Sequence, residues 1–387
     1  MSVIDLESGR VSLEHSSDFT VGIEEEFALL DPVSLDLVPR YEALRDAALN
    51  DELLGRSVAG ELIASEIEIR SGRGEDVHSA IAAQREMRRR LFALAGAHGV
   101  KLGATATHPW ADYRKQQIID TEHYHRVEDG LQYVARRNNT FSVHVHVGIQ
   151  GADRAIKVCD RLRHVLPELL AISANSPFLE GGDSGLHSVR TQIFTKSFPR
   201  CGIPDPFGDW SRFAQYVNFL IATRSIVEYT QVWWSVRPHL SFGTVEVRIC
   251  DVQSTAAESE ALVNLIVACV AQAAREVDEA RTPPELPARL LEENVWRAIR
   301  YGLDGELLDL HRAEPYPARA AGERLLGWTE EVRGELGIEV QLAELNGAQR
   351  QRALLRDGMT LAEVYAATVG ATEATYSQST ESGAEVK

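Results

Sequence analysis

The sequence predicts an α+β fold in which a curved sheet is covered by helices on one side. Four separated segments alternate aliphatic and ionisable residues with the two-residue period of a strand. Helical periodicity fills most of the remaining chain. Strands and helices do not follow one another in the short steps of a doubly wound sheet, which leaves a sheet with helices on one face.

The strand segments are 19–30 (FTVGIEEEFALL), 61–70 (ELIASEIEIR), 140–149 (TFSVHVHVGI) and 243–251 (GTVEVRICD), and a short fifth is expected at 103–107. Successive strand residues point to opposite faces. Glu24 and Glu26 therefore share a face, as do Glu66, Glu68 and Arg70, then His144 and His146, then Glu246 and Arg248. The opposite faces are aliphatic, except that Glu25 falls on the apolar side, where it needs an arginine partner or a strand edge. A solvated face would carry Lys, Thr and Gln. These faces hold Glu, His and Arg almost alone. Gathered in one sheet, such carboxylates repel unless cations lie between them. Oxygen-rich sites suit magnesium or manganese, and imidazole leaves room for a transition metal.

Helices are expected over 75–98, ending at Gly99 as a C-cap, over 153–173 and 210–229, and over 256–280 with Thr255 and Glu258 as a capping box. From 287 to 367 the pattern is helical throughout. His123 and His125 lie two apart on a further helix, so they do not share a face, and both read as surface residues. Trp233 and Trp234 read as core, with a place in the lining of a ligand pocket as the alternative. Residues 1–17 read as a polar, flexible leader and 371–387 as a disordered tail, with a single catalytic domain over 18–370.

Composition removes several function classes. The 387 residues contain 40 Lys and Arg against 57 Asp and Glu, a net charge of −17. A nucleic-acid binder needs a basic footprint. The first residues lack the basic and apolar blocks of a signal peptide, and no uninterrupted apolar run reaches membrane-spanning length. A cytoplasmic protein with no membrane partner is expected. Cys159, Cys201, Cys250 and Cys269 form no CxxC pair, so they read as reduced thiols. Neither GxxxxGK[ST] nor GxGxxG after a strand is present, and the GGDSG stretch at 181–185 reads as a plain turn.

GIEEEF at 22–27, SVHVHVGI at 142–149, LPELLAISANSPFLEGGDSGLHSVR at 166–190, WWSVRP at 233–238 and GTVEVRICDV at 243–252 together resemble the type 2 glutamate–cysteine ligase family of carboxylate–amine ligases. The resemblance runs from about residue 19 to 270. It implies a glutamine synthetase-like fold, a curved, mainly antiparallel sheet with helices on its convex side and ATP and metals on its concave face. It also implies the reaction: ATP phosphorylates a carboxylate, and an amine attacks the acyl phosphate.

Carried onto this sequence, the resemblance makes Glu24, Glu26, Glu68, His144 and Glu246 metal ligands. Glu61 becomes an acidic group near the amine, and Arg248 the cation that meets the phosphoryl group. Arg190 and Arg237 are candidates for holding substrate carboxylates, since Arg binds them bidentately. Small-molecule amino acid and amine substrates, ATP, and Mg2+ or Mn2+ are the implied partners. Oligomeric state stays open, a homo-oligomer included. The rival enzyme is a zinc hydrolase built on His144 and His146 with Glu246 or Glu68. The paired glutamates and the later ExR fit a magnesium–nucleotide site better. Phosphotransfer to a guanidino group and a catalytically idle binding protein are further alternatives.

Overall fold

The computed structural model describes residues 6–378. One seven-stranded sheet organises it. Its strands are β1 (Val21–Leu30), β2 (Val58–Ala59), β3 (Glu66–Arg70), β4 (Lys101–Gly103), β5 (Val143–Gly148), β6 (Val236–His239) and β7 (Thr244–Val247). They lie in the order β6-β7-β5-β1-β3-β2, with β4 pairing the far end of β1. Every pairing is antiparallel.

The aliphatic alternation decides which face meets the helices. Val21, Ile23, Val143, Val145, Val147, Val245 and Val247 are buried in one continuous core. Burying each such side chain contributes about 1.5–3 kcal/mol. The helices that cover this face are α1 (Leu6–Glu14), α2 (Val77–Ala97), α3 (Ala152–Leu162) and α4 (Ala256–Asp278). Of these, α2 packs on β1, β3 and β4, α3 on β6 and β7, and α4 on β5. By length and composition α4 is apolar enough to cross a bilayer, yet Leu262, Leu265, Ile266 and Val270 are buried in this core.

Glu25 finds the arginine it needs. Arg88 of α2 donates from Nε at 2.7 Å and Gln84 from Nε2 at 2.8 Å, both to Oε2. Burial works against the charged form, and Arg88 overrides it, holding the carboxyl below its usual range. Gly99 ends α2 at φ +67°, a left-handed position that favours glycine. Gly148 allows a close approach: a Cβ there would meet the Ser17 carbonyl at 2.2 Å. The four cysteines are free thiols.

Several boundaries differ from the sequence expectation. The flexible leader is helical over Leu6–Glu14, because Leu13 is wholly buried against the core. The tail expected from residue 371 is helical at its start. The last helix, Leu361–Tyr376, runs into it and buries Tyr376 between Phe27 and Phe92, while 379–387 lie outside the described residues. The helix expected over 153–173 is two, Ala152–Leu162 and Leu166–Ser173, with Pro167 opening the second. The 287–367 region is interrupted by a hairpin of Glu306–Asp309 and Glu314–Pro317. Pro315 and Pro317 there disfavour helix.

Candidate active site

The polar face of the sheet bounds a cavity of about 730 Å3. Strand register builds its floor. Across β1 and β3, Glu24 stands opposite Arg70, Glu26 opposite Glu68, and Ala28 opposite Glu66. On the other side of β1, Glu24 pairs with His144 and Gly22 with His146. The row continues with Glu246 opposite His146 and Arg237 opposite Glu246. All nine site candidates from the sequence, Glu24, Glu26, Glu61, Glu68, His144, Arg190, Arg237, Glu246 and Arg248, line this cavity.

Among the described residues, three sets of donor atoms lie close enough together to hold a cation. They are Glu24, Glu68 and His144; Glu24, His146 and Glu246; and Glu26, Glu61 and Glu68, with the ligand atoms of each set within 4.8 Å of one another. Glu24 and Glu68 are each shared by two sets. The His146 Nε2 atom is buried without a hydrogen bond, although Glu24 lies at 3.4 Å and Glu246 at 3.8 Å. Its other nitrogen meets Thr244 Oγ1 at 3.0 Å. An imidazole fixed on one side and open toward two carboxylates suits a divalent ion. The two histidines belong to different sets, so they do not form the zinc pair of the hydrolase reading.

The protein's own cations do not balance these acids evenly. At one end, burial opposes the Glu246 charge, but Arg237 and Arg248 hold its carboxyl well below the usual range. Burial likewise opposes Glu24, and His146 and His144 lower it strongly. At the other end, burial and the Glu68 charge push Glu26 up to about 7. Burial and Glu26 push Glu61 up to about 7. Burial and Glu24 push Glu68 well above the carboxylate range, despite Arg70 at 2.5 Å. Ser142 supports Glu26 with its backbone N–H at 2.6 Å and its hydroxyl at 2.7 Å. Burial, then Arg248, lower His144 to about 3 and keep the ring neutral.

The arginines differ in what they leave free. Arg237 donates from Nε to Glu246 at 2.6 Å and from Nη1 to the Thr230 and Val232 carbonyls, with Nη2 at 3.5 Å from Glu246. A substrate carboxylate would have to displace one of these. Arg190 donates to the Ile249 and Arg248 carbonyls, and its Nε is buried without an acceptor. Arg248 binds Glu246 and faces His144 Nδ1 at 3.4 Å, and its Nε too lacks an acceptor.

Residues 20–377 match glutamate–cysteine ligase family 2. The chain belongs to that family. A provisionally named glutamate–cysteine ligase 2 of Solibacter usitatus is 37% identical over 352 residues, covering 89% of this chain and 91% of the relative. One from Sorangium cellulosum is 38% identical over 340 residues, covering 88% and 89%. The solved glutamate–cysteine ligase of Francisella tularensis, in complex with AMP, superposes with a TM-score of 0.65 at 12% identity, covering 94% of this chain and 91% of that one. A bifunctional glutathione synthetase of Pasteurella multocida gives 0.67 at 10% identity, covering 95% and 53%. Those two likenesses establish the fold. The family membership makes the chain a carbon–nitrogen ligase and leaves the zinc hydrolase without support.

Some of this ligase's cavity residues escaped the sequence reading. His123 is not a plain surface residue. Its helix, Glu122–Leu131, borders the cavity, where Tyr124 Oη donates to the Gly60 carbonyl and His123 meets Glu228 at 3.2 Å. Trp233 lines the cavity, whereas Trp234 is core and stacks on Tyr216 at 5.7 Å. Ser142 shares the polar face with His144, so period-two alternation pointed to it. Glu61 lies before β3 rather than on it, and the loop folds it back into a donor set. The GGDSG turn does not line the cavity.

Proposed function

We propose that this ligase uses ATP to activate the carboxylate of a small amino acid, glutamate, as an acyl phosphate, which the amine of a second substrate attacks to form an amide. Cysteine is that second substrate by family precedent. The single observation carrying this reading is the run of three overlapping cation-binding donor sets along one buried sheet face, flanked by arginines with unengaged Nε atoms. Phosphoryl transfer needs positioning and charge neutralisation more than covalent help from the protein. Divalent ions held by Glu24, Glu26, Glu61, Glu68, Glu246 and the histidines would neutralise phosphate oxygens.

The chain's own groups supply the rest. Arg248 presents its free Nε toward the transferring phosphoryl group. Arg190 holds the acid substrate's carboxylate, and Arg237 holds Glu246 in position. Ser142 fixes the Glu26 carboxylate. Glu61, at the acidic end, lies where an amine would approach. The Francisella enzyme's AMP complex supports adenine nucleotide as the phosphoryl source. ADP release is the test: it is expected with magnesium, glutamate and an amino acid together, and with hydroxylamine in place of the amine. Absence of ADP release under both conditions overturns the reading.

A further inference from the structure

We propose that Glu66 binds the ammonium group of the incoming primary amine, an inference that rests on the ligase reading above. Glu66 lies in β3 opposite Ala28. It is two residues from Glu68 on the same face, a step of about 7 Å, at the end of the polar row away from Glu246. It belongs to none of the three donor sets. Its side chain is 1% exposed and still lines the cavity, and its Oε2 has no hydrogen-bond partner. A buried carboxylate oxygen without a partner is costly. In a cavity wall it marks a place where a ligand's donor belongs.

The surroundings select the ligand. Glu26, Glu61 and Glu68 are the neighbouring acids, and Arg70 is committed to Glu68 at 2.5 Å and Glu24 at 3.5 Å. A carboxylate or phosphate would be repelled from this corner, and such groups belong with Arg190 and Arg248 instead. An ammonium brings three donors and a positive charge. It satisfies Oε2 while placing its nitrogen beside the donor set of Glu26, Glu61 and Glu68. Burial and the neighbouring Glu26, Glu61 and Glu68 raise the Glu66 carboxyl above its usual range. An ammonium at its open oxygen stabilises the charged form, so Glu66 selects a cationic second substrate.

Steady-state kinetics of Glu66→Gln test this, because the amide keeps the shape and cannot ionise. The probes are ATP, magnesium and glutamate with either a panel of the common L-amino acids or hydroxylamine, which is uncharged near neutral pH. The KM for the accepted amino acid should rise about tenfold or more, with much smaller changes for glutamate and ATP. Hydroxamate yield should fall far less than amide yield. Glu66→Asp should recover part of the loss, and it carries the comparison if the Gln variant does not fold. Bound metal should match wild type. Unchanged amino-acid KM, hydroxamate falling in step with amide, or lost metal each overturn the assignment. Wild-type hydroxamate without amide from any amino acid overturns it alone. Wild type yielding neither product overturns the ligase reading itself.

Discussion

Glu26 and Glu68 face one another directly across the pairing of β1 and β3, two buried carboxylates in register on the same side of the sheet. A fold selected for stability alone gains nothing from that arrangement, because like charges at this spacing oppose each other. Elsewhere on this face Glu24 stands opposite Arg70 and His144, and Glu246 opposite Arg237 and His146, and these arginines and histidines compensate them. At the Glu26–Glu68 end Arg70 pairs with Glu68, yet both carboxyls stay raised, which is the imbalance a bound cation would relieve.

Glu68→Gln should therefore separate stability from chemistry. Glu68 belongs to two of the three donor sets. Its replacement should lower ADP release by about a hundredfold or more. The melting temperature in chelator should hold or rise, because one member of a repelling group is gone. Magnesium should raise the wild-type melting temperature more than that of the variant, since only the native-state site binds the ion. Differential scanning calorimetry with and without magnesium, beside an ADP assay, measures both. A variant with normal ADP release would remove Glu68 from the site.

The two substrate arginines proposed from sequence should behave differently. Arg190→Lys should raise the KM for the acid substrate about tenfold, because the flat fork is lost. Arg237→Lys should act mainly through Glu246, whose carboxylate it clamps at 2.6 Å. Its expected signature is weaker metal binding at the Glu24, His146 and Glu246 set and a lower kcat, with a smaller change in acid KM. Kinetics at varied glutamate and magnesium distinguish these outcomes. The same effect on acid KM in both variants would restore Arg237 to the carboxylate-binding role.

What the sequence revealed of this site follows from the geometry of strands. Alternation with period two assigns Glu24, Glu26, Glu68, His144, Glu246 and Arg248 to polar faces without any knowledge of pairing. It does not tell which residue stands opposite which, so the facing of Glu26 and Glu68 appears only with register. Glu61 and His123 reach the cavity from a loop and a bordering helix, whose placement depends on long-range contacts that no local pattern encodes. Arg237 shows the converse limit: a motif locates the residue but not its committed nitrogens. The hairpin of Glu306–Asp309 and Glu314–Pro317 was hidden inside a region dense with helix-forming residues, where the prolines at 315 and 317 were the available signal.

The Glu25–Arg88 pair behind the sheet offers a stability test away from the cavity. Arg88 also reaches Ser259 and Glu260, tying α2 to α4. Arg88→Ala leaves the buried Glu25 charge without its cation, and Glu25→Ala leaves buried Arg88 with Glu260 as its remaining counterion. Glu25→Ala or Arg88→Ala should each cost about 3–5 kcal/mol. The double variant Glu25→Ala with Arg88→Ala should cost less than the two single changes together. Urea denaturation of the four proteins measures the coupling, and additive losses would show that the pair has no specific interaction.

His108 gives a pH dependence with a definite sign. The ring is 1% exposed. Its Nε2 lies 2.8 Å from the Leu35 carbonyl, and Nδ1 accepts from the Trp110 and Ala111 backbone N–H groups at 3.3 and 3.0 Å. The neutral ring satisfies all three contacts, whereas a proton on Nδ1 would break two. Burial lowers the pKa to about 4, against 6.5 for the free side chain. Between those values the unfolded chain binds a proton that the folded protein refuses. This contribution is therefore fully present above pH 6.5 and is lost as pH falls toward 4, by at most about 3 kcal/mol. His108→Asn should be less stable than wild type at neutral pH because the ring's contacts are lost. That difference should shrink as the pH falls from about 7.5 to about 4.5, since the variant has no imidazole to protonate on unfolding. Denaturant unfolding at both pH values measures the change. A gap between wild type and variant that stays constant with pH would mean that His108 titrates alike in the folded and unfolded chains.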